Sequence, residues 1–390
     1  MDDLKFELQD ETRKGARIKV IGIGGGGSNA VARMYEEGLD GIEFYIMNTD
    51  AQALEASKVP VKLQIGARVT NGLGSGSDPA IGRQAALEDT ERILAILEGA
   101  DLVFITAGLG GGTGAGVAPV VATLAKQLDA LTIAIVTKPF TFEGGKRMRQ
   151  AESSLNDLAS SVDILTTIPN DRLLTIAPKG TSMAQAFKIA DDVLRQAVQG
   201  ISEIILNPGL INLDFSDIKS AISGMGHALI GTAIASGPNA AVEASRAAIN
   251  SPLLEDTKIK GARQVLMNIT GSGSIGLHEL NEACSIIRTA ADCDDLQLNF
   301  GVIANEAMGD TVKVTVIATG FARPEDVRES LIEPKPAVEF FAERSSEPAW
   351  TEPAPPPPSI VETPIPMGAA PVFEEELDVP AYLRQGKLLN

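Results

Sequence analysis

The sequence predicts an α/β fold: a parallel sheet covered by helices, joined through one long helix to a second, smaller α/β lobe, and ending in a disordered tail. Three observations carry this expectation. Between Arg17 and Thr167, aliphatic runs alternate with amphipathic stretches, and a βαβα order of this kind closes as a parallel sheet buried on both faces. From Ser182 to Leu206 one helical pattern persists beyond the usual globular length and stops at Asn207-Pro208-Gly209. After Glu333 the composition changes: 12 of the 22 prolines fall between Pro334 and Pro380, and such a segment cannot bury enough apolar surface to order itself.

The strands of the first lobe are expected at residues 18–23, 42–47, 102–106, 132–136 and 163–168. Helical spacing fills the gaps, with Ile81, Ala85, Ile93 and Leu97 on one face. In the second lobe, residues 262–270, 296–305 and 311–319 have strand character, with helices near 239–249 and 276–291. Residues 334–372 form a coil with a reach of roughly 35 Å. Apolar residues return in 373–390, the pattern of a short docking peptide. A hydrophobic content of 44% with only 4% aromatic residues implies a core of aliphatic side chains and alanine. The net charge of −18 argues against a nucleic-acid partner, which needs clustered Lys and Arg. No apolar run is long enough to span a membrane, and the acidic N-terminus lacks a signal-peptide core. Cys284 and Cys293 have no metal-like spacing and fit free thiols of a cytosolic chain. His227 and His278 lie far apart and suit structural roles better than catalytic ones.

Sites in parallel sheets lie at the carboxyl ends of the strands. Five unusual segments fall there: 24–29, 48–53, 72–78, 108–116 and 139–147. The fourth, Gly108-Leu-Gly-Gly-Gly-Thr-Gly-Ala-Gly116, has six glycines in nine residues and feeds a helix. Backbone freed of Cβ atoms, next to the unpaired N–H groups of a helix N-terminus, suits phosphate. The turn Gly22-Ile-Gly24-Gly-Gly-Gly27, with Asp50 further on, satisfies the dinucleotide fingerprint and keeps an NAD-dependent dehydrogenase open as an alternative. Two glycine-rich turns on neighbouring strands exceed what a dinucleotide needs, however. The P-loop pattern is missing, because Gly145-Lys146 is followed by Arg147. A mononucleotide carrying several phosphates fits best.

Gly110-Gly-Gly-Thr-Gly-Ala-Gly116, Asn48-Thr-Asp-Ala-Gln-Ala-Leu54, Gly72-Leu-Gly-Ser-Gly76, Thr137-Lys-Pro-Phe-Thr-Phe-Glu143, Ile168-Pro-Asn-Asp171 and Asn207-Pro-Gly-Leu-Ile-Asn-Leu-Asp-Phe-Ser-Asp217 occur in this order. With them, residues 16–322 resemble the FtsZ branch of the tubulin-like GTPases, and Asp378-Val-Pro-Ala-Tyr-Leu-Arg384 resembles that family's terminal peptide. Ala115 stands where threonine is frequent, and Ser28 where glycine or asparagine is commoner. The resemblance implies an N-terminal extension (1–15), a GTP-binding domain (16–181), a central helix (182–206), a C-terminal α/β domain (207–322), a disordered linker (323–372) and a docking peptide (373–390).

It also implies roles. Gly25, Gly26, Gly27, Ser28 and Asn29 approach the α- and β-phosphates. Gly111, Gly112, Thr113 and Gly114 cradle the β- and γ-phosphates, while Gly74 and Ser75 close over the γ-phosphate. Glu143 and Arg147 touch ribose and phosphate; the alternative for this spacing is an exposed ion pair. Phe187 and Asp191 share a helix face, where the aromatic stacks near guanine and the acid accepts from its N1 and N2. Core packing is the other reading of Phe187. Asn170 contacts sugar or base. Mg²⁺ accompanies GTP or GDP, held mainly by phosphate oxygens and water, and no protein metal ligand is assigned. Asp214 and Asp217, supported by Asn212, belong to a motif that reaches the next subunit's γ-phosphate and polarises the attacking water. Head-to-tail association of this kind repeats into open filaments. The resemblance further implies a cytoplasmic protein concentrated at the mid-cell division ring of a bacterium. Val379, Tyr382 and Leu383 would dock membrane-tethering and regulatory division proteins, among them an actin-like adaptor, without direct membrane insertion. A non-hydrolysing tubulin-like scaffold is a further alternative, opposed by the presence of Asp214 and Asp217.

Overall fold

A computed structural model describes residues 15–321, apart from 179, 208, 212, 252–258 and 274. The extension, the linker and the docking peptide with Val379, Tyr382 and Leu383 lie outside the described residues. In chain order the elements are β1 (Ile18–Ile23), α1 (Gly24–Glu36), β2 (Ile42–Asn48), α2 (Ala51–Glu55), β3 (Val61–Gln64), α3 (Ala67–Thr70), α4 (Pro79–Glu88), α5 (Thr90–Leu97), β4 (Leu102–Gly108), α6 (Thr113–Gln127), β5 (Leu131–Lys138), α7 (Gly145–Ala159), β6 (Ile164–Pro169) and α8 (Asn170–Ile176). There follow α9 (Met183–Leu206), α10 (Phe215–Ile222), β7 (Gly226–His227), β8 (Leu229–Ser236), α11 (Ala240–Ile249), β9 (Gln264–Gly271), α12 (Leu277–Ala291), β10 (Gln297–Ala304) and β11 (Thr311–Thr319).

The first sheet runs β3-β2-β1-β4-β5-β6-β7 with every pairing parallel. Its strands are apolar on both faces because both are covered. Val20, Ile46, Phe104 and Ile133 pack with Ala30, Val31, Leu194 and Ile201 of α1 and α9. On the other face Ile21, Ile105 and Val136 pack with Ile93, Val121 and Leu155 of α5, α6 and α7. The chain winds outward from β1 to β3 and then crosses back to β4 on the opposite side of β1. This reversal leaves a crevice at the carboxyl ends of β1 and β4.

The second sheet, β10-β9-β11-β8, is mixed: β9 and β10 are parallel, and β11 runs antiparallel to both β8 and β9. It packs on α11 and α12 through Met267, Ile269, Val314, Ala244 and Ile287. Helix α9 starts at a capping box in which Ser182 Oγ accepts from the Gln185 N–H and Gln185 Oε1 accepts from the Ser182 N–H.

Three features depart from the sequence expectations. The helical stretch containing Ala85 and Ile93 is two helices, divided at Asp89, whose carboxylate accepts from the Gly66 N–H at 2.7 Å and pairs with Arg92 at 2.8 Å. Strands β3, β7 and β8 were not anticipated. The first two are very short, and the Leu-Ile-Gly-Thr-Ala-Ile-Ala-Ser run of β8 is dominated by small residues. The second lobe was expected from residue 207, yet α10 buries Ile218, Ala221 and Ile222 in the core of the first sheet, and β7 extends that sheet.

Candidate nucleotide site

A cleft of about 510 Å³ opens at the reversal point. Two helices begin there. Helix α1 starts at Gly24 directly after β1, and α6 starts at Thr113 just beyond β4. Gly25 and Gly26 line the cleft from the first turn, and Gly111, Gly112, Thr113 and Gly114 from the second. A Cβ on Gly25 or Gly111 would meet nothing within 4 Å, so these positions face open space. Gly112 is glycine for another reason: its Cβ would lie 2.3 Å from Ser75 Oγ and 2.6 Å from the Asp78 nitrogen. The missing side chain lets the 72–78 loop close on the glycine turn. The Thr113 hydroxyl ties the walls together, 2.7 Å from Thr49 Oγ1 and 3.0 Å from Ser75 Oγ. Gly74 and Ser75 complete this end. Two sets of N-terminal N–H groups thus converge on one space, an arrangement suited to a chain of phosphates.

Gly27, Ser28 and Asn29 do not line the cleft, contrary to the expectation for the first loop. Because α1 begins at Gly24, the chain has turned away by Gly27. A Cβ there would lie 2.2 Å from the Thr106 carbonyl oxygen, so Gly27 serves close packing of α1 on β4. Ser28 is buried, its Oγ without a hydrogen-bond partner among the described residues. Asn29 is exposed on the helix.

The rest of the lining comes from α8, α9 and the segment after β5, which returns to the glycine turn where Gly110 meets the Arg147 backbone. Phe187, Asp191, Asn170, Glu143 and Arg147 belong to it. Phe187 is 41% exposed and meets the buried Phe140 edge-on at 5.6 Å, so it is a cleft wall and not part of a sealed core. Asn170, the first residue of α8, is buried with its Oδ1 unpartnered among the described residues, leaving an acceptor to be satisfied. Glu143 and Arg147 form an ion pair at 2.5 Å, and Glu143 Oε1 also accepts from the Phe140 N–H at 2.9 Å. Burial pushes the Asp191 carboxyl up to about 6, against the opposing pull of the Arg33 guanidinium, whose Nε is 4.0 Å away.

Sequence reasoning passed over several lining residues. Asn48, Asp50 and Ala53 belong to the 48–54 motif, and Asp50 also entered the dinucleotide fingerprint, but none was given a role toward a mononucleotide. Ala190 and Leu194 line the cleft one and two turns along α9 from Phe187, and nothing in their apolar character separates them from core residues.

Asp214 and Asp217 lie outside the lining. Asp214 is the N-cap of α10, its Oδ1 accepting from the Asp217 N–H at 2.7 Å, and both acids are exposed. Asn212 lies outside the described residues.

Paired glycine-rich helix starts at the reversal of a parallel sheet, facing an aromatic and a half-buried acid, define a mononucleotide-binding α/β protein. Comparison with known proteins narrows this. The family model described as "Tubulin/FtsZ family, GTPase domain" matches residues 17–178, and that of the "FtsZ family, C-terminal domain" matches 226–322. Among solved structures, an FtsZ dimer from M. jannaschii is 41% identical, with a TM-score of 0.73 over 79% of this chain and 89% of its own. CetZ2 of Haloferax volcanii, solved as a GTPγS-bound protofilament, shares the fold at 22% identity, with a TM-score of 0.70 over 80% of this chain and 96% of its own. The chain belongs to the tubulin/FtsZ family of GTP-binding, filament-forming cell-division GTPases. The dinucleotide alternative raised by the Gly22–Gly27 turn gives way to this assignment.

Proposed function

We propose that this chain hydrolyses GTP in head-to-tail filaments, each active site being completed by Asp214 and Asp217 of the adjacent copy with Asn212 beside them, and that the filaments form the cytokinetic ring at a bacterial division site. One observation supports the divided site most directly: every acid in the lining is already engaged. Asp50 caps α2 by accepting from the Gln52 and Ala53 N–H groups, Glu143 is paired with Arg147, and Asp191 is paired with Arg33. Asp217 and the α10 N-cap Asp214 are exposed and stand outside the lining of their own chain's cleft. The protofilament described for CetZ2 and the dimer described for M. jannaschii FtsZ are consistent with assembly of this type.

In this reading the N–H groups of Gly25, Gly26 and Gly111–Gly114 hold the phosphates. Gly74 and Ser75 close over the γ-phosphate, and Asn170, Glu143 and Arg147 fix the ribose. Phe187 stacks near the base. The Asp191 carboxylate accepts from guanine N1–H and N2–H and repels the N1 acceptor of adenine. The neighbouring carboxylates orient a water in line with the γ-phosphorus and take up its proton. Among the described residues no cluster of three acidic, histidine or cysteine side chains is placed to hold a metal. Mg²⁺ would be bound through phosphate oxygens and water, as a hard ion prefers, and would supply charge neutralisation.

Among the described residues no helix is long and apolar enough to cross a membrane. Recruitment to the membrane is assigned to partner proteins that dock Val379, Tyr382 and Leu383, on the likeness of residues 378–384 to the family's terminal peptide. The test is phosphate release measured across protein concentrations. Turnover per molecule is expected to rise with concentration as neighbours supply the acids. Turnover independent of concentration would overturn the divided site.

A further inference from the structure

Arg33 lies in the last turn of α1, the helix whose first turn lines the phosphate end, and reaches across to α9. Its Nε is 4.0 Å from Asp191 Oδ2, and its Nη1 donates to the Lys188 carbonyl at 3.3 Å. The side chains of Arg33 and Asp191 are 28% and 17% exposed, so their pairing is sheltered from bulk water. We propose that Arg33 is a positioning residue for base selection: it holds Asp191 ionised and aimed into the cleft, and thereby sets the discrimination of guanine from adenine. The proposal rests on the reading of Asp191 as the guanine acceptor.

The chemistry follows from donors and acceptors. An ionised Asp191 offers two acceptors, matching guanine N1–H and N2–H. A protonated Asp191 offers one donor beside one acceptor, which matches the N1 acceptor and N6 donor of adenine. Loss of the charge therefore both weakens guanine and favours the wrong base. Burial drives Asp191 toward the protonated form, and the opposing influence is Arg33.

The other charged groups nearby are committed elsewhere or lie along the helix. On α9, Arg195 is held by Asp192 and by Glu37, the residue after α1, both at 2.8 Å. Lys188 meets Arg33 through its carbonyl. On α8, Asp171 accepts from the Thr141 backbone and hydroxyl, and Arg172 has a partner of its own. Across the cleft Glu143 and Arg147 satisfy each other.

The experiment measures GDP and ADP binding to the full chain from about pH 5 to about pH 8, with diphosphates chosen to suppress assembly. The GDP-to-ADP affinity ratio cancels titration of the phosphates, which is common to both. In the wild type the ratio is expected to fall as pH drops through about 6. In Arg33→Ala the fall is displaced upward by about half a pH unit, equal to about 0.7 kcal/mol, so the ratio drops roughly twofold more at pH 6 than at pH 8. Arg33→Lys restores most of the wild-type profile by returning the charge. A uniform loss of affinity from disturbed packing would not move the midpoint. An Arg33→Ala profile superimposed on the wild type overturns the proposal. Asp191→Asn separates the two ideas: an unchanged GDP-to-ADP ratio in that variant overturns the guanine reading itself, whereas a collapsed ratio together with an unshifted Arg33→Ala midpoint removes only the role of Arg33.

Discussion

At the scale of single residues, a methyl group added at the glycines of the two turns would meet open space at some and packed atoms at others. Gly25 and Gly111 face space, Gly112 faces Ser75, and Gly27 faces the Thr106 carbonyl. Gly25 and Gly111 are also free of the left-handed backbone that strains an L-residue. Gly25→Ala and Gly111→Ala should leave thermal stability within about 0.5 kcal/mol of wild type. Each should weaken GTP binding by about tenfold or more, because the added methyl occupies phosphate space. Calorimetric binding beside thermal melting checks both halves, and equal binding would show that these faces do not meet the ligand. Asp191 supplies a second residue-scale prediction. Burial holds its folded-state carboxyl at about 6, well above the ordinary aspartate value of 3.8. The folded state therefore binds this proton more tightly, and the ionised group costs stability as pH rises through that window. Without nucleotide at pH 7, Asp191→Asn should raise stability by on the order of 1–2 kcal/mol while guanine selectivity is lost. Melting curves in nucleotide-free buffer read the first effect.

At the scale of elements, α9 was legible because its signals are local: a Ser182–Gln185 capping box, a sustained apolar face and a stop at Asn207. The attachment of α10 was not, because it rests on distant partners. Lys219 pairs with Asp129 at 3.0 Å, and buried Asp163 accepts from the Gly224 N–H at 3.3 Å, fastening the helix to the first sheet. The same helix shows Asp214 in two roles, since it caps α10 as well as carrying a charge. The roles are separable. Asparagine caps as well as aspartate, whereas alanine does not, at a cost of about 1 kcal/mol. Asp214→Asn should therefore keep wild-type melting and GTP binding yet lose turnover by roughly a hundredfold or more. Asp214→Ala should lose turnover and melt lower. Normal turnover in the asparagine variant would remove Asp214 from the chemistry.

At the scale of the whole molecule, alternation of strands and helices announced the parallel sheet, while the mixed pairing of the second sheet depended on contacts that no local pattern encodes. In residues 373–390 apolar side chains return after the proline-rich stretch. Removing residues 373–390 should leave GTP-dependent sedimentation unchanged and abolish recruitment to membranes carrying the tether; failure to sediment would assign the tail a part in assembly. The geometry of α9 has a mechanical consequence. Near its start it carries Asp191 into the cleft, and further along Gly200 leaves no clearance against Thr315, where a Cβ would lie 2.7 Å away. Arg195 donates to Gln199, Gln199 to Glu203, and Glu203 grips Lys313 of β11 at 2.5 Å. Any sliding of α9 along its axis would therefore have to carry Thr315 and Lys313 of β11 with it or break these contacts.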